Sequence, residues 1–192
     1  IASGAATYSW NTGATTSSIS VSPTSTTNYT VIGSNPGCSN TKTVSVSVNA
    51  SPTVAVSGTT VCSGTIANIV ASGATSYSWN TGATTSSISV TPTLTTTYTV
   101  TGTTTGCANT KTVTVTVNAL PNTSVSSTTI CSGSTGTLAA SGASTYLWNT
   151  GATAPNLAVS PTVNTNYTVT GTSAAGCVKT VTASVTVGSA PS

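Results

Sequence analysis

The chain contains no acidic residue, no histidine, no arginine and no glutamine, and its only charged side chains are Lys42, Lys111 and Lys179. General acid–base catalysis needs a carboxylate, an imidazole or a tuned lysine. A nucleophilic serine needs a base and a group that orients that base. The chain has no carboxylate or imidazole side chain, and we interpret its three lysines as solvated at strand ends. The sequence therefore predicts that the protein is not an enzyme and that it uses no cofactor.

The scarcity of charge also argues against nucleic acid, anionic lipid and metal ions as partners. The net charge is +3 over 192 residues, with no basic cluster for nucleic acid or anionic lipid. No segment reaches the roughly 20 apolar residues of a membrane span. Without histidine, acids or a Cys-x-x-Cys pair, a metal site is not expected. Because nearly neutral surfaces favour association, we expect the partners to be copies of the protein itself, with surface glycans as a further candidate.

Threonine and serine are what the chain has in abundance, with 48 and 32 residues. Disordered chains are usually charged and poor in β-branched residues. Here the β-branched residues threonine and valine are abundant, and this favours β-strands over disorder.

The three tryptophans reveal a tandem repeat. Trp10, Trp79 and Trp148 are 69 residues apart, inside the segments YSWNTGAT, YSWNTGAT and YLWNTGAT. Tyr29, Tyr98 and Tyr167 keep the same step. A fixed period of this kind indicates one small unit copied along the chain.

The phase of the repeat divides the chain into three units and a tail. We assign unit 1 to residues 1–50, unit 2 to residues 51–119 and unit 3 to residues 120–189, with residues 190–192 as the start of a further repeat or a tail. Ile1 aligns with Val70, so unit 1 lacks the counterpart of residues 51–69. We expect unit 1 to be incomplete, or to be completed by a longer polypeptide or by a neighbouring chain.

Unit 2 contains six segments with the pattern of short strands, at residues 53–56, 66–71, 77–79, 87–90, 98–101 and 110–117. Residues 62–65 are predicted as a turn, and a seventh strand is left open. Six or seven short strands in about 70 residues predict an all-β fold of tandem small immunoglobulin-like β-sandwich repeats. We expect the tryptophans and the three repeated tyrosines to lie in the core, the tyrosines as in a tyrosine corner, together with Val113, Val115 and Val117.

The five cysteines allow more than one pairing. A unit this small buries little apolar area and benefits from a disulfide. We predict Cys62–Cys107 and Cys131–Cys177, with Cys38 unpaired or bonded to another chain. This requires six strands, because a seventh would place Cys62 and Cys107 at opposite ends of the unit. The alternative pairs Cys38 with Cys62 and Cys107 with Cys131 across unit junctions. Either pairing indicates an oxidising, extracellular setting.

Four asparagines match the acceptor pattern for N-linked glycans, Asn-x-Ser/Thr. They are Asn28, Asn49, Asn122 and Asn166. Glycans at these positions would give an almost uncharged protein a solubilising coat.

The repeat resembles the tandem immunoglobulin-like and PKD-like repeats of Bacteroidota cell-surface adhesins and gliding-motility filament proteins, which the type IX system secretes. The shared pattern runs through Cys62-Ser63-Gly64, residues 77–84, 90–93 and 98–102, and Gly106-Cys107. The resemblance implies a stalk. The family's aspartates near the tryptophan are absent here, so calcium binding is not implied.

These observations favour the structural repeat region of an extracellular bacterial filament or adhesin, located at the cell surface or in the filament, which forms a stalk or fibre by tandem and lateral assembly of its units. An ice- or carbohydrate-binding surface is the alternative. Thr112, Thr114 and Thr116 form a regular row on one face of the predicted last strand of unit 2.

Overall fold

The computed structural model describes residues 1–188, and over this part of the chain the secondary structure is entirely β, in seventeen strands. The predicted tail, residues 190–192, lies outside the described residues. The predicted changes of unit, after residues 50 and 119, fall in segments without strand. Among the described residues, no helix is long and apolar enough to cross a membrane.

Unit 1 has one sheet, in the order β1-β2-β3. Its strands are β1 (Thr7–Trp10), β2 (Thr27–Asn35) and β3 (Cys38–Val46). Both pairings are antiparallel.

Unit 2 has seven strands in two sheets. They are β4 (Ala55–Val56), β5 (Thr59–Cys62), β6 (Ala67–Ser72), β7 (Ser76–Trp79), β8 (Ser87–Val90), β9 (Thr96–Thr104) and β10 (Cys107–Asn118). One sheet has the order β4-β6-β8 and the other β5-β10-β9-β7. Strand β5 runs parallel to the end of β10, whereas the other pairings are antiparallel.

Unit 3 repeats this arrangement. Its strands are β11 (Ser124–Val125), β12 (Thr128–Cys131), β13 (Gly136–Ser141), β14 (Thr145–Trp148), β15 (Asn156–Val159), β16 (Thr165–Thr172) and β17 (Val178–Gly188). The sheets have the orders β11-β13-β15 and β12-β17-β16-β14. In immunoglobulin nomenclature, units 2 and 3 carry strands A, B and E on one sheet and A′, G, F and C on the other. The chain is therefore an array of tandem immunoglobulin-like β-sandwich repeats.

All six predicted segments of unit 2 contain strands, and a seventh strand, β5, lies where the sequence offered no clear signal. This strand occupies Thr59–Cys62, so Cys62, which was predicted as the first residue of a turn, is the last residue of a strand. It forms because its residues pair along the last four residues of β10, a contact between segments more than 50 residues apart. Local patterning carries no information on such a pairing.

The cores of units 2 and 3 lie between their two sheets. Trp79, Trp148, Val113 and Val115 are all buried there. Val117 is only half-buried, so the prediction of full burial is wrong for this residue. It lies at the end of β10, opposite the half-buried Val61 of the edge strand β5, where the sandwich opens to solvent.

Identical sequences behave differently in units 1 and 2. Residues 18–21 and Ser87–Val90 both read Ser-Ile-Ser-Val, yet only the second forms a strand. In unit 2 this strand pairs with β6. The counterparts of Ala67 and Ile69 would precede Ile1, so residues 18–21 have no such partner among the described residues. One hydrogen bond next to this pairing is present in both units. The Ala71 amide donates to the Ser86 carbonyl at 2.8 Å in unit 2, and the Ala2 amide donates to the Ser17 carbonyl at 2.7 Å in unit 1.

Candidate interunit interface

Because the additional strand β5 reverses the chain once more, Cys62 lies at the opposite end of unit 2 from Cys107. Cys107 is the first residue of β10, and Cys62 pairs with the last, Asn118. At about 3.3 Å per residue, the 12 residues of β10 place the two ends roughly 35 Å apart. The predicted pairings Cys62–Cys107 and Cys131–Cys177 are therefore wrong, because strand parity puts each pair at opposite ends of its unit.

The disulfide that forms joins two units. Cys62 of unit 2 is bonded to Cys177 of unit 3, with 5.6 Å between their Cα atoms and a sequence separation of 115. The alternative pairing, Cys38–Cys62 with Cys107–Cys131, also crosses junctions but is not the one formed. The bond places the end of β5 against the turn between β16 and β17. Unit 2 and unit 3 are thus connected twice, by the backbone and by a disulfide.

The carbonyl of Asn118 lies at the centre of this junction. It accepts a hydrogen bond from the Ser63 amide at 2.9 Å, which extends the pairing of β5 with β10 by one residue. Cys177 Sγ lies 3.8 Å from the same carbonyl oxygen. The Asn118 carbonyl oxygen therefore contacts both unit 2, through the Ser63 amide, and unit 3, through Cys177.

The junction between units 1 and 2 reproduces half of this arrangement. Asn49 is the counterpart of Asn118, and Cys107 is the counterpart of Cys177. The Cys107 thiol donates to the Asn49 carbonyl at 3.5 Å, and Asn49 Nδ2 donates to the Thr105 carbonyl at 3.1 Å. Cys107 is a free, half-buried thiol, whereas the free thiols of Cys38 and Cys131 are exposed.

Unit 1 exposes the face that the other units cover with a second sheet. Val44 is 53% exposed, whereas its counterpart Val113 in unit 2 is 5% exposed. An open groove of about 510 Å³ runs along this face and is lined by residues that include Tyr8, Trp10, Val31 and Val44. A smaller one of about 230 Å³ adjoins it, lined by Ile19, Val21, Tyr29 and Val46 among others. The surface is therefore an apolar sheet face without a partner among the described residues.

The repeated tryptophans and tyrosines lie within the units and contact their own backbone or core. Each tryptophan Nε1 donates to a backbone carbonyl six residues later, at 2.9 Å in all three units. Trp79 and Trp148 are buried between the two sheets of their units, so they offer no ring face on which a sugar could stack. Trp10 is also buried, although it lines the open groove of unit 1. Tyr29 and Tyr98 are buried and Tyr167 is half-buried.

A second series of repeated tyrosines, Tyr8, Tyr77 and Tyr146, stabilises the turn that precedes β1, β7 and β14, a contact that the sequence analysis did not predict. The Tyr77 hydroxyl accepts a hydrogen bond from the Ala74 amide at 3.0 Å and donates to the Ala74 carbonyl at 2.9 Å. Tyr8 and Tyr146 accept the equivalent bond from the amide three residues earlier. Tyr77 lies on β7, the C strand, so this contact is not a tyrosine corner, which forms at the start of the F strand. Tyr98 lies on β9, the F strand, where the tyrosine corner was expected. The signal was available, since Tyr8, Tyr77 and Tyr146 also recur in the repeat.

The outer surface carries the remaining candidate residues. Asn28, Asn49, Asn122 and Asn166 are all exposed, as glycan attachment requires. Thr112, Thr114 and Thr116 are exposed on β10. Threonine hydroxyls on this face pair with each other across the strands, Thr97 with Thr114 at 3.3 Å and Thr101 with Thr110 at 2.9 Å. Pairing of this kind stabilises the sheet and leaves fewer hydroxyls free for a ligand.

Comparison with solved structures finds other arrays of immunoglobulin domains. A three-domain fragment of titin is similar over 85% of this chain and 75% of its own, with 12% identity and a TM-score of 0.43. Extracellular domains 3–5 of Drosophila OTK are similar over 85% of this chain and 71% of their own, with 12% identity and a TM-score of 0.36.

The N-terminal eight immunoglobulin domains of the Down syndrome cell adhesion molecule are similar over 84% of this chain, with 12% identity and a TM-score of 0.36. This chain spans 31% of that structure. At such scores the fold class rests on the strand order of the chain itself. No family model matches the sequence, and no curated protein matches it.

Proposed function

We propose that this chain is the structural repeat region of an extracellular bacterial filament or adhesin, where it acts as a stalk. The observation that carries the proposal is the Cys62–Cys177 bond. A disulfide at a unit junction adds nothing to catalysis or ligand binding, but it restricts bending between neighbouring units. It also fits an oxidising compartment.

The bond changes the path of a pulling force. When the two ends of the chain are pulled apart, tension passes from Cys62 directly to Cys177 through the disulfide. The residues between them, which include most of units 2 and 3, carry no load. A stalk that holds a cell or a binding domain under shear benefits from this protection.

The low charge of the protein supports assembly into a fibre. With three lysines and no acidic residue, neighbouring copies hardly repel one another. The four asparagines that match the glycan acceptor pattern are exposed, which is compatible with a glycan coat on the fibre. The repeat pattern also resembles that of type IX secreted adhesins and filament proteins.

Single-molecule stretching tests the stalk. In the oxidised chain, we expect that the segment between Cys62 and Cys177, which are 115 positions apart, cannot be extended by the pulling force. Reduction should then lengthen the fully extended chain by roughly 400 Å, at about 3.3–3.6 Å per residue. The Cys131→Ser variant, which removes an exposed free thiol, should behave as the parent protein. Equal lengths before and after reduction would remove the support for a covalently reinforced stalk.

Two further measurements address location and the alternative. Labelling of the intact source with an antibody against unit 2, followed by electron microscopy, should decorate surface fibres; label confined to the cell interior would oppose the proposal. The ice-binding alternative predicts thermal hysteresis of the purified chain, and we expect none if the chain is a stalk.

A further inference from the structure

Strand β10 carries the longest open edge of unit 2. Strand β5 pairs with its last four residues, Val115–Asn118, and among residues 1–188 no strand pairs with residues 107–114 on that side. The other edge strands of the unit, β4, β5, β7 and β8, are two to four residues long. An unpaired edge of this length is a template for pairing with another chain.

Unit 3 has the same open edge. Strand β12 pairs with Val185–Gly188 at the end of β17. Over the described part of the chain, no strand pairs on that side with residues 178–184, which form the preceding part of β17. Both complete units therefore present the first part of their last strand as an open edge.

The sequence of these strands favours pairing with a copy of itself. Residues 112–117 read Thr-Val-Thr-Val-Thr-Val, with β-branched residues throughout, no proline and no charge. Segments of six or seven residues with this composition stack readily on identical segments. The partner that fits the open edge is therefore the same edge of a second copy of this chain.

All charged side chains of the protein stand on strands of this one type. Lys111 lies on β10 directly before the Thr-Val run, and Lys179 lies on β17 directly before the corresponding run. Lys42 holds the position of Lys111 in β3. Lysine next to an aggregation-prone strand is a common protection against association.

Lys111 lies on the core-facing side of β10 and not on the outer side. It shares this side with Val113 and Val115, which are buried, whereas the lysine itself is exposed. A strand added along residues 107–114 would cover the ammonium group and remove its water, which is costly without an opposite charge. An inward-pointing charge on an edge strand therefore opposes pairing.

Symmetric pairing of two such edges would also bring two lysines together. In an antiparallel pair centred on Lys111, this residue lies opposite itself in the second copy, with Cβ atoms about 4.5–5.5 Å apart. When Asn109 or Val113 of the second copy lies opposite instead, the two lysines become diagonal neighbours at about 7–8 Å. Like charges in direct opposition destabilise the pair, and each centred register places the two ammonium groups close together.

We propose that the open edge of the last strand in each unit is a self-association edge and that its single lysine keeps it unpaired. The partner that the lysine excludes is the same edge of a second copy. A net charge of +3 hardly separates two copies, but its placement acts where they would pair. This inference goes beyond the stalk, because it stands whether or not the protein bears load.

Relocation of the lysines tests the proposal at constant net charge. The moved-charge variant combines Lys42→Thr, Lys111→Thr and Lys179→Thr with Thr15→Lys, Thr84→Lys and Thr153→Lys. The three threonines are exposed and occupy equivalent loop positions after the tryptophans. By sedimentation equilibrium of the full chain, we expect association at a concentration at least about tenfold lower than for the parent, because no ammonium group opposes edge pairing.

A charge-retaining control separates the edge from other causes. The variant Lys42→Arg, Lys111→Arg and Lys179→Arg keeps a cation on each edge and should associate no more than the parent. Hydrogen exchange of the associated moved-charge variant should show new protection in residues 108–114 and 178–184, since backbone amides there gain partners.

A smaller variant covers a failure of the moved-charge chain to fold. Lys111→Thr with Thr84→Lys changes unit 2 alone, and we expect its association to show protection in residues 108–114. Association equal to the parent in the folded variants, equal association of the arginine variant, or new protection confined to other residues would each overturn the proposal.

Discussion

Cys62 and Cys177 are bonded across the junction of units 2 and 3, with Cα atoms 5.6 Å apart although they are 115 positions apart in sequence. The contact exists because β5 runs parallel to the end of β10 and brings Cys62 to the edge of its unit. At that edge the turn before β17 presents Cys177, whose side chain is fully buried.

Removal of this bond should destabilise the array. We expect Cys62→Ser to lower the free energy of unfolding of the linked units by about 2–4 kcal/mol, since the disulfide closes a long loop. Denaturant titration under non-reducing conditions measures the change. Cys131→Ser, the same substitution at the equivalent position of unit 3, should have little effect, and a loss of similar size there would contradict the assigned pairing.

Gly4 and Gly73 occupy equivalent positions in units 1 and 2, but only Gly73 is in contact with the first residues of its unit. Gly73 has a φ of +88°, and a Cβ there would collide with the carbonyl oxygen of Thr53. Gly4, its counterpart, has the same φ and open space around it. We expect Gly4→Ala to cost about 1 kcal/mol from backbone strain and Gly73→Ala a further 1–3 kcal/mol or so from the clash. Thermal unfolding of the two variants checks this, and equal losses would show that residue 53 is not held against the turn.

Thr123 is a buried polar residue without a partner. Its Oγ1 makes no hydrogen bond among the described residues, and its counterpart in unit 2 is the buried Val54. Thr123→Val should therefore raise the free energy of unfolding of unit 3 by about 1 kcal/mol, because an unsatisfied hydroxyl is replaced by a methyl group. The reverse change, Val54→Thr, should destabilise unit 2 by about 1–3 kcal/mol. If Thr123→Val proved destabilising, the hydroxyl would have to be bonded in solution.

Two adjacent residues of β14 test the assignment of the core face. Trp148 is 2% exposed and Leu147 is 54% exposed. We expect Trp148→Ala to cost about 3–5 kcal/mol, and Trp79→Ala the same in unit 2, enough to unfold one small unit. Leu147→Ala should change stability by less than about 0.5 kcal/mol. Tryptophan fluorescence and denaturant titration measure both, and similar losses at the two positions would contradict the strand orientation.

The two Ser-Ile-Ser-Val segments should differ in dynamics. Amides of Ser87–Val90 that bond to β6 should exchange slowly, because they open only with the unit. Amides of residues 18–21 should exchange at rates close to those of an unstructured peptide. Hydrogen exchange with mass spectrometry resolves the two segments, and strong protection of residues 18–21 in the isolated chain would show that another segment already covers them.

The sequence by itself determined the units, their approximate strands and the inward-facing residues. The 69-residue step of the tryptophans requires a repeat, and the alternation of valine and threonine along β10 specifies which side faces the core. The second signal is local, because side-chain direction in a strand has a period of two and is set by the backbone alone.

The tertiary structure alone decided the cysteine pairing and the state of unit 1. Whether Cys62 meets Cys107 or Cys177 depends on one additional strand, Thr59–Cys62, which reverses the end of the unit at which Cys62 lies. That strand exists only because it pairs with residues more than 50 positions away. Residues 18–21 make the same point, since their sequence forms a strand in unit 2 and none in unit 1. Backbone hydrogen bonds in a sheet need a partner, and no local pattern states whether the partner is present.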